Sequence, residues 1–257
     1  MTVIVAPPHL TEEARHDWDV LQRATEQAGV FDPGQADLLP EPARRWVLHA
    51  IAPGTSLLRA VVLSMRGTIK LGAWRRFRAT QVLRPLEGFV WSASVFLGLL
   101  PVHGFDRYRA EAGEMRWRLL DTFSMMSGTG PDITRSAAGR LACEFVLAPA
   151  AALDPRVRWK ALDGRRAVAS LPIGSVDHDM TLTIAPDGRL ERVTMSRWGN
   201  PDKGTYREHL FGVDCGDEIT WDGFTLPVRI RGGWWPGTER WTDGEFIRFT
   251  LDDALFR

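Results

Sequence analysis

A carboxylate at Glu144 is the group in this sequence that is best placed to do chemistry. It shares one face of a predicted helix with apolar residues at helical spacing. These residues are Ala137, Leu141, Phe145 and Ala148. Burial among such neighbours raises the pKa of a carboxyl group, which can then serve as an acid, a base or an anchor for a ligand. The alternative, which we favour, is a structural ion pair with Arg140, one helical turn earlier, or with an arginine from a facing strand.

A predicted strand at residues 102–111 offers a second carboxylate. Asp106 and Tyr108 point to the same face of this strand, because successive side chains alternate between the two faces. If that face is concave, Asp106 converges with Glu144 and Gln81 on a polar spot inside an apolar cavity. The alternative is that these strand residues are solvated. Glu144 and Asp106 are therefore weak catalytic candidates, and we assign no catalytic residue.

Residues suited to other chemistry do not form complete sites. Asp177 and Asp179 point to one side of a strand and His178 to the other, so the three cannot converge on a metal ion unaided. Cys143 and Cys215 stand too far apart in sequence to indicate a zinc site or a redox pair. The sequence also lacks a phosphate-binding loop, a metalloprotease motif and a nucleophile elbow. We expect no metal and no cofactor.

The helix that carries Glu144 is predicted at residues 132–148. Asp132 and Thr134 are residue types that cap helix N-termini, and Pro149 ends the helix. An apolar–polar alternation with a period of two marks strands on both sides of it, five before the helix and the rest after it. The later strands are predicted at 157–162, 166–171, 179–184, 190–197, 206–211, 217–221, 224–231 and 246–251.

A sheet of about a dozen strands has to curl or close, because open twisted sheets rarely exceed about ten strands. Short strands separated by turn residues are typical of antiparallel sheets. We therefore predict a mainly β (α+β) fold, in which one strongly curved antiparallel sheet or incomplete β-barrel encloses the helix at 132–148. Two separate sandwiches are the alternative.

Two helices are predicted before the first strand. The first runs from Thr11 to Ala28, and the second follows Pro40 and ends before Pro53. They cap the open end of the sheet or pack on its outer face. We thus divide the chain into an N-terminal helical segment, residues 1–53, packed on a β domain, residues 54–257, that contains the central helix.

The composition excludes some partners. The chain has 257 residues and a formal net charge of zero, which argues against electrostatic capture of nucleic acid or an anionic membrane. Its 11 tryptophans suit a thick core or the lining of a ligand cavity. The longest apolar stretch, residues 89–102, is too short and interrupted to span a bilayer. No secretory signal is recognisable at the N-terminus, so we expect a cytoplasmic protein.

Several short motifs occur in a recognisable order. They are Leu39-Pro40-Glu41-Pro42, Phe77-Arg78-Ala79-Thr80-Gln81, Phe89-Val90-Trp91 and Leu141-Ala142-Cys143-Glu144. With these motifs the chain resembles, from Leu38 to its C-terminus, an uncharacterised family of bacterial domains of unknown function. The resemblance implies no known activity.

The predicted topology is similar to that of periplasmic lipoprotein carriers, in which an incomplete barrel with helices in its mouth shelters acyl chains. This is a likeness of architecture alone. The chain departs from those carriers because no export signal is recognisable, and this argues against a lipoprotein cargo.

The leading functional hypothesis is a binding protein that holds a lipid-like or other hydrophobic small molecule between the sheet and the central helix. The residues predicted to contact the ligand are Gln81, Trp91, Asp106, Tyr108, Leu141, Glu144 and Phe145. One alternative is a hydrolase or proton-transfer enzyme that uses Glu144 with Asp106. Another is a non-catalytic protein-interaction module. We expect no nucleic-acid partner and no stable membrane insertion, and the sequence leaves the oligomeric state open.

Overall fold

The computed structural model describes residues 4–24, 28–98, 100–119 and 123–257. Its strands form one large sheet. Six strands precede the central helix: β1 (Val61–Leu71), β2 (Ala73–Arg84), β3 (Gly88–Leu97), β4 (Leu100–Arg109), β5 (Ala112–Leu119) and β6 (Phe123–Gly128). The remaining strands are β7 (Arg158–Ala161), β8 (Arg166–Ile173), β9 (Val176–Ile184), β10 (Leu190–Gly199), β11 (Arg207–Trp221), β12 (Phe224–Trp234) and β13 (Glu245–Phe256).

The sheet consists of two meanders that meet at its centre. The strand order is β6-β5-β4-β3-β2-β1-β13-β12-β11-β10-β9-β8-β7, and every neighbouring pair is antiparallel. The first strand pairs with the last, as in the register Leu63 opposite Ala254. The 13 strands curl into a half-barrel, which confirms the predicted curved antiparallel sheet.

Strand β11 differs from the prediction of two strands at 206–211 and 217–221. The residues between them continue the ladder, and Gly216 pairs with Arg229. Asp217 has a φ of +44°, but the pairing register with β12 is the same on both sides of it. One long strand therefore replaces two short ones.

Strand β6 was not predicted from the sequence. Its residues from Phe123 to Ser127 are all exposed, so no inward–outward alternation marks them. The strand is formed through its pairing with β5, in which Met126 lies opposite Trp117. Tertiary pairing, and not a local pattern, makes this segment a strand.

The central helix, α3 (Pro131–Glu144), ends earlier than the predicted 132–148. Two 3-10 turns, Phe145–Leu147 and Pro149–Leu153, follow it. The helix contacts β4 and β5 of one meander and β8, β9 and β10 of the other, so it lies inside the curl. Its residues Leu141 and Ala142 are fully buried in the main core.

The two N-terminal helices pack on opposite faces of the sheet. In α1 (Glu12–Leu21), Trp18 packs with Val82 and Phe105 in a separate cluster on the outer face. In α2 (Glu41–Ala50), Trp46 belongs to the main core on the inner face. Helix α1 thus has the outer-face placement, whereas α2 packs on the inner face, and a capping role for α2 stays a prediction.

Helix α1 ends at Leu21 and does not run on to residue 28. The side chain of Arg84 on β2 accounts for this end, because its Nε donates a hydrogen bond to the carbonyl oxygen of Leu21 at 3.3 Å. The predicted helical residues 25–27 lie outside the described part of the chain. No helix among the described residues is long and apolar enough to cross a membrane.

Candidate functional site

Helix α3 and the inner face of the sheet enclose a cavity of about 250 Å³. Most of its lining is apolar and comes from both meanders. Examples are Met65, Ile69, Trp91, Trp117, Val193, Phe211, Ile230 and Phe249. Met126 on the edge strand β6 also lines the cavity and is 42% exposed, so the cavity extends to the surface beside this strand.

Four polar side chains in the lining form a closed hydrogen-bonded group, the Arg140 cluster, made of Gln81, Asp106, Arg140 and Glu144. Arg140 donates from Nε to Glu144 Oε1 at 2.8 Å and from Nη1 to Asp106 Oδ2 at 2.9 Å. Its Nη2 donates to Gln81 Oε1 at 3.2 Å. Gln81 Nε2 closes the ring by donating to Glu144 Oε2 at 2.6 Å. The protein itself therefore satisfies all three donor groups of this guanidinium.

The register of the sheet brings the strand members of this cluster together. Gln81 on β2 lies opposite Trp91 on β3, and Trp91 lies opposite Asp106 on β4. The three residues form one row across the inner face, because directly opposite residues point to the same side of a sheet. Arg140 lies over this row, with its guanidinium carbon 4.7 Å from the ring centre of Phe89 and 5.0 Å from that of Trp91.

Asp106 is the electrostatically unusual member of the cluster. Burial raises the pKa of its carboxyl group and outweighs the attraction of Arg140 and Arg197, which acts in the other direction. Its second oxygen, Oδ1, is buried and has no hydrogen-bond partner within the described part of the chain. Asp106 is thus a carboxyl group that is held at one oxygen only.

A second guanidinium, that of Arg197 on β10, also lines the cavity. Its Nε and Nη2 donate to the carbonyl oxygen of Ser136 at 3.3 and 3.2 Å, and it forms no ion pair with a carboxylate among the described residues. Its guanidinium carbon lies 4.7 Å from the ring centre of Phe211 and 5.5 Å from that of Trp234. Burial and the nearby Arg140 lower the pKa of Arg197 to about 10, so it remains a cation at neutral pH.

The sequence interpretation missed Arg197, although its strand carries a signal. Val193, Met195 and Arg197 occupy alternate positions on β10, so they face the same side, and Val193 and Arg197 line the cavity. An arginine that continues an inward-facing apolar series indicates a buried cation. On the facing helix, a Cβ at Gly139 would lie 3.1 Å from Arg197 Cγ, so the glycine leaves room for the arginine stem.

The two cysteines also line the cavity, and they are uncharged at neutral pH. Burial raises the pKa of the Cys143 thiol to about 12 and raises that of Cys215 as well. No group of three or more metal-ligating residues occurs among the residues that the structure describes. Asp177 pairs with Arg158 at 2.7 Å and Asp179 bonds to Ser170, so these carboxylates turn to other partners and away from His178.

The structure brings four of the predicted ligand-contacting residues to the cavity: Gln81, Trp91, Asp106 and Glu144. The other three, Tyr108, Leu141 and Phe145, are buried in the main core but are not part of the lining, and their contact with a ligand stays a prediction. The ion pair of Glu144 with Arg140, the alternative to a functional carboxylate, is present. Glu144 also lines the cavity, and a functional role for its carboxylate stays a prediction.

Comparison with known proteins gives a family match and several likenesses of fold to solved structures. A family model described as a family of unknown function, DUF6544, matches residues 29–246. A LolA superfamily protein from Nitrosomonas europaea is similar at 10% identity and a TM-score of 0.43, over 77% of this chain and 85% of that one. A DUF1329 family protein from Desulfovibrio piger is similar at 10% identity and a TM-score of 0.44, over 88% and 94%. No curated protein matches the sequence.

Proposed function

We propose that this chain, which belongs to the family of unknown function DUF6544, binds one small hydrophobic molecule between α3 and the sheet. The family match agrees with the resemblance that the ordered short motifs indicated, and it brings no activity with it. The observation that carries the proposal is the cavity of about 250 Å³ with its mostly apolar lining. Ligand sites in proteins are typically of this kind, with a few polar groups placed in an apolar wall.

An empty cavity of this size would be costly for the fold. Protein interiors are packed about as densely as organic crystals, and voids larger than a water molecule are few. The side chains around a void lose dispersion contacts on one side, and a guest molecule restores them. An apolar cavity of about 150 Å³ already binds benzene. A lipid-like or other apolar guest therefore fits this space better than water does.

Analysis of the molecules that copurify with the chain tests this proposal. We expect native mass spectrometry of gently purified protein to show an added mass that organic extraction removes. The variant Ile247→Trp fills the cavity from β13 and should lose this mass. Its matched control, Ile219→Trp, changes an exposed isoleucine on β11 and should keep it. Equal amounts of bound molecule in both variants, or none in the unmodified chain, would contradict the proposal.

A second candidate function is catalysis by Glu144 with Asp106. The observation that favours it is that both carboxylates line one cavity and that Asp106 Oδ1 has no partner among the described residues. A carboxyl group with a raised pKa and a free oxygen can accept or donate a proton. Hydrolysis of 4-nitrophenyl decanoate that is lost in Asp106→Asn would support a hydrolase. If the unmodified chain releases 4-nitrophenol from this ester no faster than buffer does, the hydrolase candidate is wrong.

Two further expectations from the sequence stay predictions. The first is a role as a protein-interaction module, and the second is a cytoplasmic location. Neither contributes to the proposed function, which depends only on the cavity and on the side chains that line it.

A further inference from the structure

We propose that the molecule in the cavity carries an anionic head group, a carboxylate or a phosphate, that pairs with the guanidinium of Arg197. This inference rests on the proposed binding function and names the chemical class of the ligand. The ligand would then be an anionic amphiphile, with its apolar part in the cavity and its head at β10.

The two arginines in the lining differ in their hydrogen bonding. Arg140 is satisfied by two carboxylates and an amide. Arg197 donates only to the carbonyl oxygen of Ser136, and its Nη1 has no hydrogen-bond partner in the described parts of the chain. Burying a cation without a directly bonded counter-charge is costly, and an anionic ligand beside Arg197 would offset that cost.

Arg197 is held in place by its protein neighbours, independently of a ligand. Its guanidinium lies against the rings of Phe211 and Trp234, and Gly139 leaves space for its stem. Trp234 in turn lies so close to Gly199 that a Cβ there would be 2.5 Å from its ring. A planar guanidinium fixed in this way presents its donors in the geometry that carboxylates and phosphates accept.

The other charged side chains in the cavity are bonded to one another. Asp106 and Glu144 face the same space, but both of them are bonded to Arg140. Cys143 and Cys215 carry no charge at neutral pH. Within the residues that the structure describes, no protein carboxylate forms an ion pair with Arg197, although Arg197 attracts Asp106 through space.

An apolar part of the cavity lining lies next to Arg197. Phe211 both stacks on Arg197 and lines the cavity, and Val193 lines it from the same strand. A free anion such as inorganic phosphate would leave this wall uncovered. An anion with an attached apolar chain satisfies the cation and the wall together.

Binding measurements on the full chain, freed of copurified molecules, test the inference. The probes are decanoate, decyl phosphate, 1-decanol and inorganic phosphate, each titrated by calorimetry. We expect at least one of the two anionic amphiphiles to bind the unmodified chain roughly 30-fold or more tightly than 1-decanol does. The tighter of the two anions identifies the head group as carboxylate or phosphate. Inorganic phosphate should bind far more weakly than either.

Three variants locate the effect. Arg197→Met keeps an apolar stem and should abolish the preference for the anions without changing the affinity for 1-decanol. Arg197→Lys keeps the charge and should keep part of the preference. The matched control Arg192→Met removes an arginine of the same strand that pairs with Asp214 at 2.6 Å. It should leave the preference for the anionic probes over 1-decanol unchanged.

The outcomes separate this inference from the proposed function. If decanoate, decyl phosphate and 1-decanol bind the unmodified chain equally well, the cavity is a binding site but the inference is wrong. If none of the three binds, both proposals fail. The comparison of probes on the unmodified chain decides the question even if Arg197→Met does not fold. If inorganic phosphate binds as tightly as decyl phosphate, the site recognises a free anion and not an amphiphile.

Discussion

The two arginines that line the cavity occupy contrasting sites. Arg140 is at the centre of the Arg140 cluster. The other three side chains accept hydrogen bonds from its guanidinium, and Gln81 also donates to Glu144. Arg197 has the same side chain, and it also lies over two aromatic rings, but its one hydrogen-bond partner among the described residues is a backbone carbonyl. Charge and aromatic contacts therefore do not distinguish the two arginines. Arg197 differs because its Nη1 has no hydrogen-bond partner among the described residues, while its side chain lines the apolar cavity.

The contrast predicts a large difference in stability between two identical substitutions. Arg140→Met leaves Asp106 and Glu144 buried without their counter-charge, and we expect it to lower the free energy of unfolding by about 3–5 kcal/mol. Arg197→Met removes no ion pair, and we expect it to change the free energy by less than about 1 kcal/mol. Urea denaturation followed by tryptophan fluorescence measures both values. Equal losses in the two variants would show that the arginines are equivalent.

A glycine-to-alanine change sharpens the contrast without altering any charge. The added Cβ in Gly139→Ala lies 3.1 Å from Arg197 Cγ, so the guanidinium has to shift relative to the rings of Phe211 and Trp234. We expect about tenfold weaker binding of the preferred anionic amphiphile, equivalent to about 1.4 kcal/mol. The free energy of unfolding should change little, because the better helix propensity of alanine, about 1 kcal/mol relative to glycine, offsets the cost of the close contact with Arg197. Unchanged anion binding in calorimetry would show that the position of Arg197 does not matter.

The pH dependence of stability tests whether burial outweighs the attraction of Arg140 at the carboxyl group of Asp106. Burial raises the folded-state pKa of Asp106 above its unfolded value, so the folded chain binds this proton more tightly than the unfolded chain does. Its contribution to stability therefore falls as the pH rises from the unfolded pKa through the folded pKa. We expect the unmodified chain to lose stability relative to Asp106→Asn over this interval, in urea denaturation at successive pH values. A relative gain would mean that the attraction of Arg140 outweighs burial.

Periodicity in the sequence predicts the Arg140 cluster because its members lie on regular elements. Gln81 and Asp106 are inward positions of strands, and Glu144 lies on the inner side of a helix, so alternation and helical spacing bring them together. Tyr108 shares the face of Asp106 but lies one step further along the strand, outside the cavity lining. A face can be predicted from local pattern, whereas the extent of a cavity along that face depends on tertiary packing.

Tertiary contacts also explain why the sequence interpretation placed neither Arg197 in the cavity nor β6 in the sheet. Arginine is mostly exposed in proteins, so the end of a strand such as β10 suggests a solvated side chain unless the facing element is known. That element is α3, with Gly139 opposite the arginine stem. Strand β6 has no buried face of its own, and only pairing with β5 defines it.

The pairing of β1 with β13 has a consequence for how the chain acquires its shape. Each meander can assemble from neighbouring hairpins, which close short loops and form quickly. The seam between the meanders joins Val61 to Phe256, and so it unites the most distant parts of the described sheet. Closing so long a loop is entropically unfavourable, and we expect this seam to limit the folding rate. During synthesis on the ribosome, the interior would then stay open on one side until the last strand has emerged.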